Sequence, residues 1–555
     1  MSDRPLAIEA RIPDSLREVV QERLGLAAQT RVAERLRARD ATLWGAPGTP
    51  EIENRLGWLT IAERILAELG PVEAFAEQVR DEGFADVVLL GMGGSSLAPE
   101  VLRRSFGRRP DRPRLHVLDS TDAEAIRATE DAVELSRTLF IVSSKSGGTI
   151  EPLSLLAHFW SLVPDGRRFI AITDPGSGLA ELASERGFRR TFLGDPDIGG
   201  RYSALSPFGI VPAALIGVDV RALLEGAPRA WETPVADASD ENAPAPPTAE
   251  LPAGVWLGAA LSALARAGRD KLTFVISESL PGLGLWLEQL VAESTGKHGT
   301  GILPVAEEPL GDPGVYGEDR VFAYLPDLLT PEFGIDSRMH ALAAAGHPVL
   351  TVPTRGPEDL GRVFMLWELA VAVAGWGLEI NPFDQPNVQQ AKDATKRVLA
   401  EYEARGTLPE VADADADALV SLLLDAAPPE YVALMAYTMP SRAFDDAAAE
   451  LRVAIREATK ATTTFGYGPR FLHSTGQFHK GGPKIGRFLQ LIHDGPADVD
   501  IPGAPYTFTT LKHAQAIGDE NTLRELGRPA ERITLAGGDP TGALRALTES
   551  IKEPR

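Results

Sequence analysis

The stretch T-L-F-I-V-S-S-K-S-G-G-T-I-E-P, residues 138–152, predicts a strand, a turn and a helix in immediate succession. Residues 139–142 are four consecutive apolar residues, typical of a buried strand, and apolar residues recur at helical spacing from Ile150 onward. The turn between them holds hydroxyl residues, glycines and one lysine. Free N–H groups at a helix start and the positive end of its dipole attract anions. The stretch therefore predicts an anion site, and its hydroxyl donors favour phosphate.

Short apolar runs alternate with helical stretches on both sides of this unit. The predicted strands of a first unit are residues 87–90, 115–118, 139–142, 169–172 and 191–193. Those of a second unit are residues 272–276, 302–305, 321–325 and 349–352. A third alternation starts near Tyr431, with helices at 442–459 and 519–526. Such alternation predicts an α/β fold with parallel sheets sandwiched by helices.

The predicted organisation has five parts. They are a helical N-terminal region (1–70), a first α/β domain (71–224), a linker rich in Pro, Ala and acidic residues (225–254), a second α/β domain (255–405) and a smaller C-terminal α/β unit (406–555). The longest apolar stretch, around residues 363–380, is broken by Glu368, Gly375 and Gly377. It predicts a buried core helix rather than a membrane span.

Composition narrows the class of protein. The net charge of −23 over 555 residues argues against nucleic-acid and anionic-membrane partners, which need a basic surface. The absence of cysteine excludes disulfides and thiolate metal sites. The first residues contain no apolar core of a signal peptide. We therefore expect a soluble, cytoplasmic protein.

A second loop rich in glycine and serine, G-M-G-G-S-S at residues 91–96, follows the first predicted strand. Its glycines let the backbone approach a ligand, and its serines add hydroxyl donors. Alone, the loop could be a tight turn or an imperfect dinucleotide fingerprint, since its spacing is not G-x-G-x-x-G. Two donor-rich loops at the ends of parallel strands can, however, converge on one ligand.

Two charged side chains are candidate catalytic groups. Arg201 follows two glycines in G-G-R-Y-S, which sets a cation beside exposed N–H groups and suits an oxyanion. A surface salt bridge is the alternative. Glu293, where W-L-E-Q-L-V-A-E runs into S-T-G-K, is a better general-base candidate than Glu288, although both could be surface charges.

Two later motifs allow functional and structural interpretations alike. N-P-F-D-Q-P, followed by Lys392, could form part of a site or only a capped surface helix. A glycine-rich loop at residues 473–483 holds His473 and His479. A zinc pair would lack an obvious third ligand, so a catalytic or phosphate-facing histidine and a structural one both stay open.

Taken in order, these blocks resemble the glucose-6-phosphate isomerase family. The resemblance rests on G-M-G-G-S-S-L-A-P, S-S-K-S-G-G-T-I-E-P, G-G-R-Y-S-A-L-S-P-F-G, W-L-E-Q-L-V-A-E-S-T-G-K and I-N-P-F-D-Q-P, within about residues 85–395. It implies two tandem sugar-isomerase (SIS) domains and reversible isomerisation of glucose 6-phosphate to fructose 6-phosphate. The implied route is a cis-enediolate, without metal or cofactor. The late histidine loop and R-A-R-D-A-T-L-W-G resemble the isomerase half of fused transaldolase–glucose-6-phosphate isomerases.

The resemblance implies a role for each matching position. Arg201 would stabilise the enediolate, Glu293 would move the proton between C1 and C2, and Lys392 would assist ring opening. Contacts with the substrate or its phosphate are implied for Gly94, Ser95, Ser144, Lys145, Ser146, Thr149, Gly200 and Gln385.

Two departures from the family pattern affect these expectations. Gly148 stands where the family turn usually has a hydroxyl residue, so one phosphate contact is expected to be missing. No histidine between Glu293 and N-P-F-D-Q-P lies in a matching motif. We therefore hypothesise that His473 or His479 supplies the ring-opening group from the C-terminal unit.

Two other functions stay open from the sequence. One is a non-catalytic module that binds a phosphosugar, and the other is an isomerase that also accepts mannose 6-phosphate. The family is usually dimeric with shared active sites, so a homodimer is possible. The extra C-terminal unit could equally complete the site within one chain.

Overall fold

The computed structural model describes residues 6–237 and 251–552. The strands are β1 Ile8–Arg11, β2 Asp86–Leu90, β3 Arg114–Leu118, β4 Thr138–Ser143, β5 Phe169–Thr173, β6 Arg190–Leu193, β7 Val235–Asp237, β8 Lys271–Ile276, β9 Leu303–Val305, β10 Arg320–Leu325, β11 Val349–Thr351, β12 Tyr431–Tyr437, β13 Thr462–Tyr467, β14 Gly486–Ile492 and β15 Ala530–Thr534.

Helices flank these strands along the whole described chain. They are α1 Asp14–Gln29, α2 Val32–Arg37, α3 Ile61–Ala67, α4 Gly70–Asp81, α5 Leu97–Phe106, α6 Ala123–Ala132, α7 Ile150–Leu162, α8 Gly178–Glu185, α9 Pro207–Leu215, α10 Val220–Gly226, α11 Ala253–Arg266, α12 Leu283–Thr295, α13 Ile335–Ala344, α14 Leu360–Leu378, α15 Pro386–Arg405, α16 Ala416–Leu424, α17 Arg442–Thr459, α18 Gly476–Gly481, α19 Phe508–Glu525 and α20 Pro540–Lys552.

The first sheet is parallel throughout, in the order β3-β2-β4-β5-β6. Its central strands β2, β4 and β5 are buried along their whole length, as expected for a sheet covered by helices on both faces. The strand order reverses between β2 and β4, because β3 lies on one side of β2 and the later strands lie on the other. The carboxyl ends of β2 and β4 lead into the two glycine-rich loops. A ligand crevice is expected at such a point of an open α/β sheet.

The second sheet has the order β7-β1-β11-β10-β8-β9 and is mixed. Strand β1 runs antiparallel to β11, and β7 pairs with β1 in parallel. The N-terminal region is therefore not helical throughout, because the alternation in I-E-A-R buries Ile8 and Ala10. Within the predicted linker, residues 225–237 include the end of α10 and β7, whereas residues 238–250 lie outside the described part.

The C-terminal unit contains a parallel sheet in the order β13-β12-β14-β15. Helix α17 matches the predicted bounds 442–459, but α19 starts at Phe508 rather than near residue 519. The sequence missed the early turns of α19 because buried polar residues, among them Lys512 and Gln515, interrupt its apolar face. The predicted class, parallel α/β layers sandwiched by helices, is confirmed.

Helix α14 is the predicted core helix. By length and composition alone, the segment Pro357–Leu378 could cross a membrane, but 94% of its apolar window is buried inside the fold. Its long contact with α11 fills the space beside the second sheet. An apolar helix covered on all sides in this way belongs to a protein core.

Buried polar contacts fasten the C-terminal unit to the first domain at the loop after β3. Asp119 accepts two hydrogen bonds from Arg470, at 2.7 and 2.8 Å. Asp122 accepts a hydrogen bond of 2.7 Å from Lys512, and both groups are almost wholly buried. Breaking a buried pair of this kind costs several kcal/mol, on the order of 3–5. The contacts fix the segment that follows Arg470 against the carboxyl edge of the first sheet.

Candidate active site

The anion turn lies between β4 and α7 as the sequence predicts. Thr149 immediately precedes α7, a helix of 13 residues, and Ser144 is buried with its hydroxyl 3.2 Å from that of Thr149. Gly147 has φ +70°, and a Cβ there would lie 2.7 Å from the amide nitrogen of Leu179, so only glycine fits. Ser146 and Gly148 are exposed. Lys145 forms an ion pair with Asp174, which follows β5.

The second glycine-rich loop is a meeting point of three parts of the chain. Gly94 packs so closely on Gly200 that a Cβ would collide with the Gly200 carbonyl oxygen. At Gly93 (φ +55°) a Cβ would lie 2.8 Å from Nε2 of Gln289 and 2.9 Å from the carbonyl oxygen of His473. The glycines thus let the Arg201 loop, helix α12 and the C-terminal unit approach one another. Ser95 lies in the same loop and is buried.

Arg201 is held rigidly. It is 2% exposed, and Nε donates to Oγ of Ser294 at 2.8 Å while Nη1 donates to Oε1 of Gln385 at 2.7 Å. Nη2 donates to the carbonyl oxygens of Pro382 (2.6 Å) and Asp384 (3.0 Å). Four of the five N–H groups therefore have acceptors, and the fifth belongs to Nη1.

Glu293 stands beside this guanidinium. Its Oε2 lies 3.6 Å from Nη1 of Arg201 and accepts a hydrogen bond of 3.3 Å from Nε2 of Gln289. The carboxyl group is 7% exposed. Burial raises the pKa of Glu293 above its ordinary value, and the positive charges of Arg201, His473 and Lys297 oppose this rise. A carboxyl group shifted toward neutrality and set beside a fixed cation suits proton transfer.

The loop that carries Gln385 is held by a second cation. Nζ of Lys297 donates to the carbonyl oxygen of Asp384 at 2.6 Å and to its Oδ1 at 2.7 Å. Burial lowers the pKa of Lys297 to about 8. Arg201 and Lys297 together therefore fix this loop over Glu293, with Gln385 at the start of α15.

His473 reaches the same place from the C-terminal unit. Its Nε2 lies 2.9 Å from Oε1 of Glu151, and its carbonyl oxygen accepts a hydrogen bond of 2.8 Å from Gln289. Glu151 also accepts a hydrogen bond of 2.7 Å from Gln515. Burial alone would raise the pKa of Glu151, but His473 and then Lys392 outweigh it and lower the value. Lys392 is an exposed residue of α15, and its positive charge helps to lower the pKa of Glu151.

The alternative histidine, His479, does not reach the cleft. Its ring packs against Tyr431, Phe471 and Phe488 in the apolar core of the C-terminal unit. Both ring nitrogens are buried without a hydrogen-bond partner among the described residues. Burial keeps its pKa well below the ordinary value. The assignment of a ring-opening role to His479 is therefore wrong, because α18 turns this face inward.

Three side chains at the site, those of Glu151, Gln289 and Lys297, were not predicted from the sequence. Glu151 stood in the quoted motif, in the first turn of α7, where a carboxylate can partner a cation brought from elsewhere. Gln289 lies four residues before Glu293 on the same helix face, a spacing that could have suggested it. Lys297 ended the quoted S-T-G-K block.

The arrangement combines an anion turn, a buried carboxyl group, a fixed guanidinium and a histidine–carboxylate pair. Such a set can hold a phosphate, move a proton between adjacent carbons and stabilise the charge that develops. Within residues 6–237 and 251–552, no three His, Asp or Glu side chains cluster as metal ligands.

A family model described as phosphoglucose isomerase matches residues 75–318, which include Arg201 and Glu293 but not Gln385, Lys392 or His473. A glucose-6-phosphate isomerase of Rubrobacter xylanophilus is 32% identical over 375 residues, 58% of this chain and 84% of the relative. One of Thermus thermophilus is 32% identical over 415 residues, 66% of this chain and 94% of the relative.

Two solved structures resemble the fold. A hypothetical protein from Thermus thermophilus has a TM-score of 0.56 and 26% identity, and the match covers 70% of this chain and all of that protein. A glucose-6-phosphate isomerase from Chlamydia trachomatis has a TM-score of 0.53 and 19% identity, covering 70% of this chain and 87% of that protein. A closer likeness to fused transaldolase–isomerases stays a prediction.

Proposed function

We propose a mechanism from one premise: the chain belongs to the glucose-6-phosphate isomerase family, and it interconverts glucose 6-phosphate and fructose 6-phosphate. The enzyme is thus not the non-catalytic sensor that the sequence left open. Activity towards mannose 6-phosphate stays a prediction.

The substrate phosphate is assigned to the turn at residues 144–149. Its hydroxyl groups, the free N–H groups of the first turn of α7 and the helix dipole supply donors and positive potential. Ser95 would add a donor from the neighbouring loop. The Lys145–Asp174 ion pair leaves Lys145 within the same turn, where a phosphate would compete with Asp174 for its ammonium group.

Ring opening is assigned to His473. With Nε2 engaged by Glu151, Nδ1 is the nitrogen available to take the proton of the sugar O1 hydroxyl. The negative charge of Glu151 stabilises the imidazolium that results. Lys392 is the candidate donor of the proton that the ring oxygen takes up when the C1–O5 bond breaks. Glu151 thus acts as a positioning residue for His473.

Isomerisation is assigned to Glu293 and Arg201. The Glu293 carboxylate removes the proton from C2, the electron pair forms the C1–C2 double bond, and O1 gains negative charge. The remaining N–H of Nη1 and the fixed charge of Arg201 stabilise this enediolate. The hydroxyl proton of O2 then moves to O1, protonated Glu293 returns its proton to C1, and the C2 carbonyl of fructose 6-phosphate forms. These steps use no metal ion or cofactor.

The observation that carries the mechanism is the position of Glu293, buried on α12 and 3.6 Å from Arg201. The chain offers a matched control on the same helix, because Glu288 is also buried but does not contact Arg201. We expect Glu293→Gln to lower kcat by about 10²- to 10⁴-fold. Glu288→Gln is expected to keep kcat within about twofold of wild type.

The test measures fructose 6-phosphate turnover, coupled to glucose-6-phosphate dehydrogenase, and phosphosugar binding by calorimetry. Binding should persist in Glu293→Gln, since the phosphate turn is intact. Near-wild-type turnover by Glu293→Gln, or an equal loss in Glu288→Gln, would contradict the assignment of the base.

Three further expectations accompany this proposal. The cited contacts join the phosphate turn, Glu293, Arg201 and His473 within one chain, which favours a site completed in cis. A homodimer stays a proposal, to be tested by sedimentation. We also propose a cytoplasmic location without nucleic-acid or membrane partners, supported by the net charge of −23 and the absence of cysteine.

A further inference from the structure

A cavity of about 300 Å³ lies next to the turn that carries His473. Its lining includes Arg470 and Ser474 of that turn, but none of the residues assigned above to phosphate binding, ring opening or proton transfer. Helices α5, α12 and α17 form its walls together with β13. The cavity is thus distinct from the catalytic cleft, although the two share a turn.

Five arginines line this cavity, and three of them are engaged by protein acceptors. Arg103 pairs with Glu100, Arg470 with Asp119, and Arg452 donates to backbone carbonyl oxygens. The guanidinium groups of Arg104 and Arg442 make no hydrogen bond or ion pair with any residue that the structure describes. Both side chains are exposed at the cavity. Neither guanidinium group is therefore held by a protein acceptor, and the charge of Arg104 acts only at longer range on Asp445 of the same lining.

The N-terminus of α17 adds to this positive site. Arg442 is the first residue of this 18-residue helix, and Ser441 caps it from the cavity lining. The free N–H groups of a helix start and its dipole favour a negatively charged group. Two guanidinium groups and a helix start together suit a dianion such as a phosphate monoester better than a single charge.

A buried carboxyl group stands in the same cavity. Glu288 is 6% exposed, lines the cavity, and forms no hydrogen bond or ion pair within the described parts of the chain. Burial raises the pKa of Glu288 to about 8, so it is largely protonated at pH 7. It can therefore donate as well as accept a hydrogen bond. Besides Glu288, the lining contains the carboxylates of Glu100, Glu307 and Asp445, and Asp119 outside the lining pairs with Arg470, so five arginines face four carboxylates.

The Glu288 carboxyl group reaches the cavity and is not bonded by any residue that the structure describes. In a cavity that opens to solvent, a ligand can supply the missing partner. We propose that this cavity is a second small-molecule site for an organic phosphate that carries a hydroxyl group. Arg104, Arg442 and the start of α17 hold the phosphate, and Glu288 bonds the hydroxyl.

The test separates this site from the catalytic one. Wild-type protein first receives one equivalent per chain of an aldonate 5-phosphate, which resembles the enediolate and therefore fills the catalytic cleft before the weaker second site. Glycerol 3-phosphate is then titrated by calorimetry, and ethyl phosphate serves as the probe without hydroxyl groups. We expect one further glycerol 3-phosphate per chain and an affinity for ethyl phosphate lower by about 5- to 10-fold.

Two variants locate the binding. Arg104→Ala/Arg442→Ala should weaken binding by at least about 10-fold, and Glu288→Leu should abolish the preference for glycerol 3-phosphate. Arg108→Ala/Arg109→Ala makes the same change of charge at exposed positions outside the cavity lining and should bind as wild type.

Three outcomes would overturn the proposal. They are no further binding up to about 10 mM probe, wild-type binding by the Arg104/Arg442 variant, or an equal loss in the Arg108/Arg109 control. Unchanged preference in Glu288→Leu would overturn the role of Glu288. Failure of the aldonate 5-phosphate itself to bind would instead count against the proposed mechanism.

Discussion

His473 and His479 lie six residues apart in one glycine-rich segment but occupy opposite environments. His473 faces the cleft, bonded to Glu151, with its backbone bonded to Gln289. His479 points into an aromatic core, 3% exposed, and has no polar partner among the described residues. Just before this segment, the ion pair between Arg470 and Asp119 holds the chain against the first domain.

The difference shows that the partner across the domain boundary decides the role of a residue. The motif H-S-T-G-Q-F-H contains two histidines of the same type. Only His473 contacts a carboxylate of the first domain, an arrangement that suits proton transfer at the cleft. His479 is a neutral ring that packs against aromatic side chains in the core.

The largest expected effect separates the two histidines by activity. His473→Ala should lower kcat on the cyclic sugar by about 10²- to 10⁴-fold, since it removes the group assigned to ring opening. His479→Phe should keep kcat within about twofold, because phenylalanine preserves the ring in the core. Steady-state turnover of both purified variants tests this contrast. An equal loss of kcat in the two variants would contradict it.

Thermal and urea unfolding test whether His479 matters more than His473 for stability. His479→Ala removes a ring that packs on Tyr431, Phe471 and Phe488 and should lower the free energy of unfolding by about 2–5 kcal/mol. His473→Ala should cost much less, since its ring is partly exposed and lies at the cleft. The contrast fails if His479→Ala is as stable as wild type.

The strands differ in how well the sequence predicts them. Periodicity placed the strands of the first sheet within about one residue, because apolar runs such as L-F-I-V stand between turn residues. It missed β1, a four-residue strand whose partner β11 lies more than 330 residues away. Pairing at that distance leaves no local signal.

The site residues also differ in how well the sequence predicts them. Local motifs indicated the phosphate turn, Arg201 and Glu293, since each combines its chemistry with a turn or helix end. They could not distinguish His473 from His479, because the deciding contact with Glu151 joins residues 322 positions apart. Glu288 looked like a surface charge but is buried at a second cavity.

A smaller loss is expected when the partner of His473 is changed. Glu151→Gln keeps the size of the side chain but removes the charge that stabilises the imidazolium. A hydrogen bond to a charged group contributes about 1.5–3 kcal/mol, so kcat should fall by about 10- to 100-fold. The pH profile of kcat should shift as well, which a merely structural role for Glu151 would not cause.

The pH dependence of stability is the smallest expected effect. Burial keeps the pKa of His479 well below 6.5 in the folded state, whereas the unfolded chain takes up a proton near that value. The unfolded state therefore binds more protons below about pH 6.5, and stability falls as the pH is lowered, by up to about 1.4 kcal/mol per pH unit. His479→Phe should lose this contribution in urea unfolding measured between pH 7 and 5. A slope unchanged by the substitution would place the titrating group elsewhere.

The division of labour between His473 and Glu293 is tested most directly by anomer exchange. Exchange NMR measures how fast the protein interconverts the α and β anomers of glucose 6-phosphate, which requires ring opening but no isomerisation. We expect Glu293→Gln to keep this rate within about twofold of wild type, whereas the rate of Glu293→Gln/His473→Ala should fall to that of the uncatalysed reaction. Equal rates in the single and the double variant would contradict it.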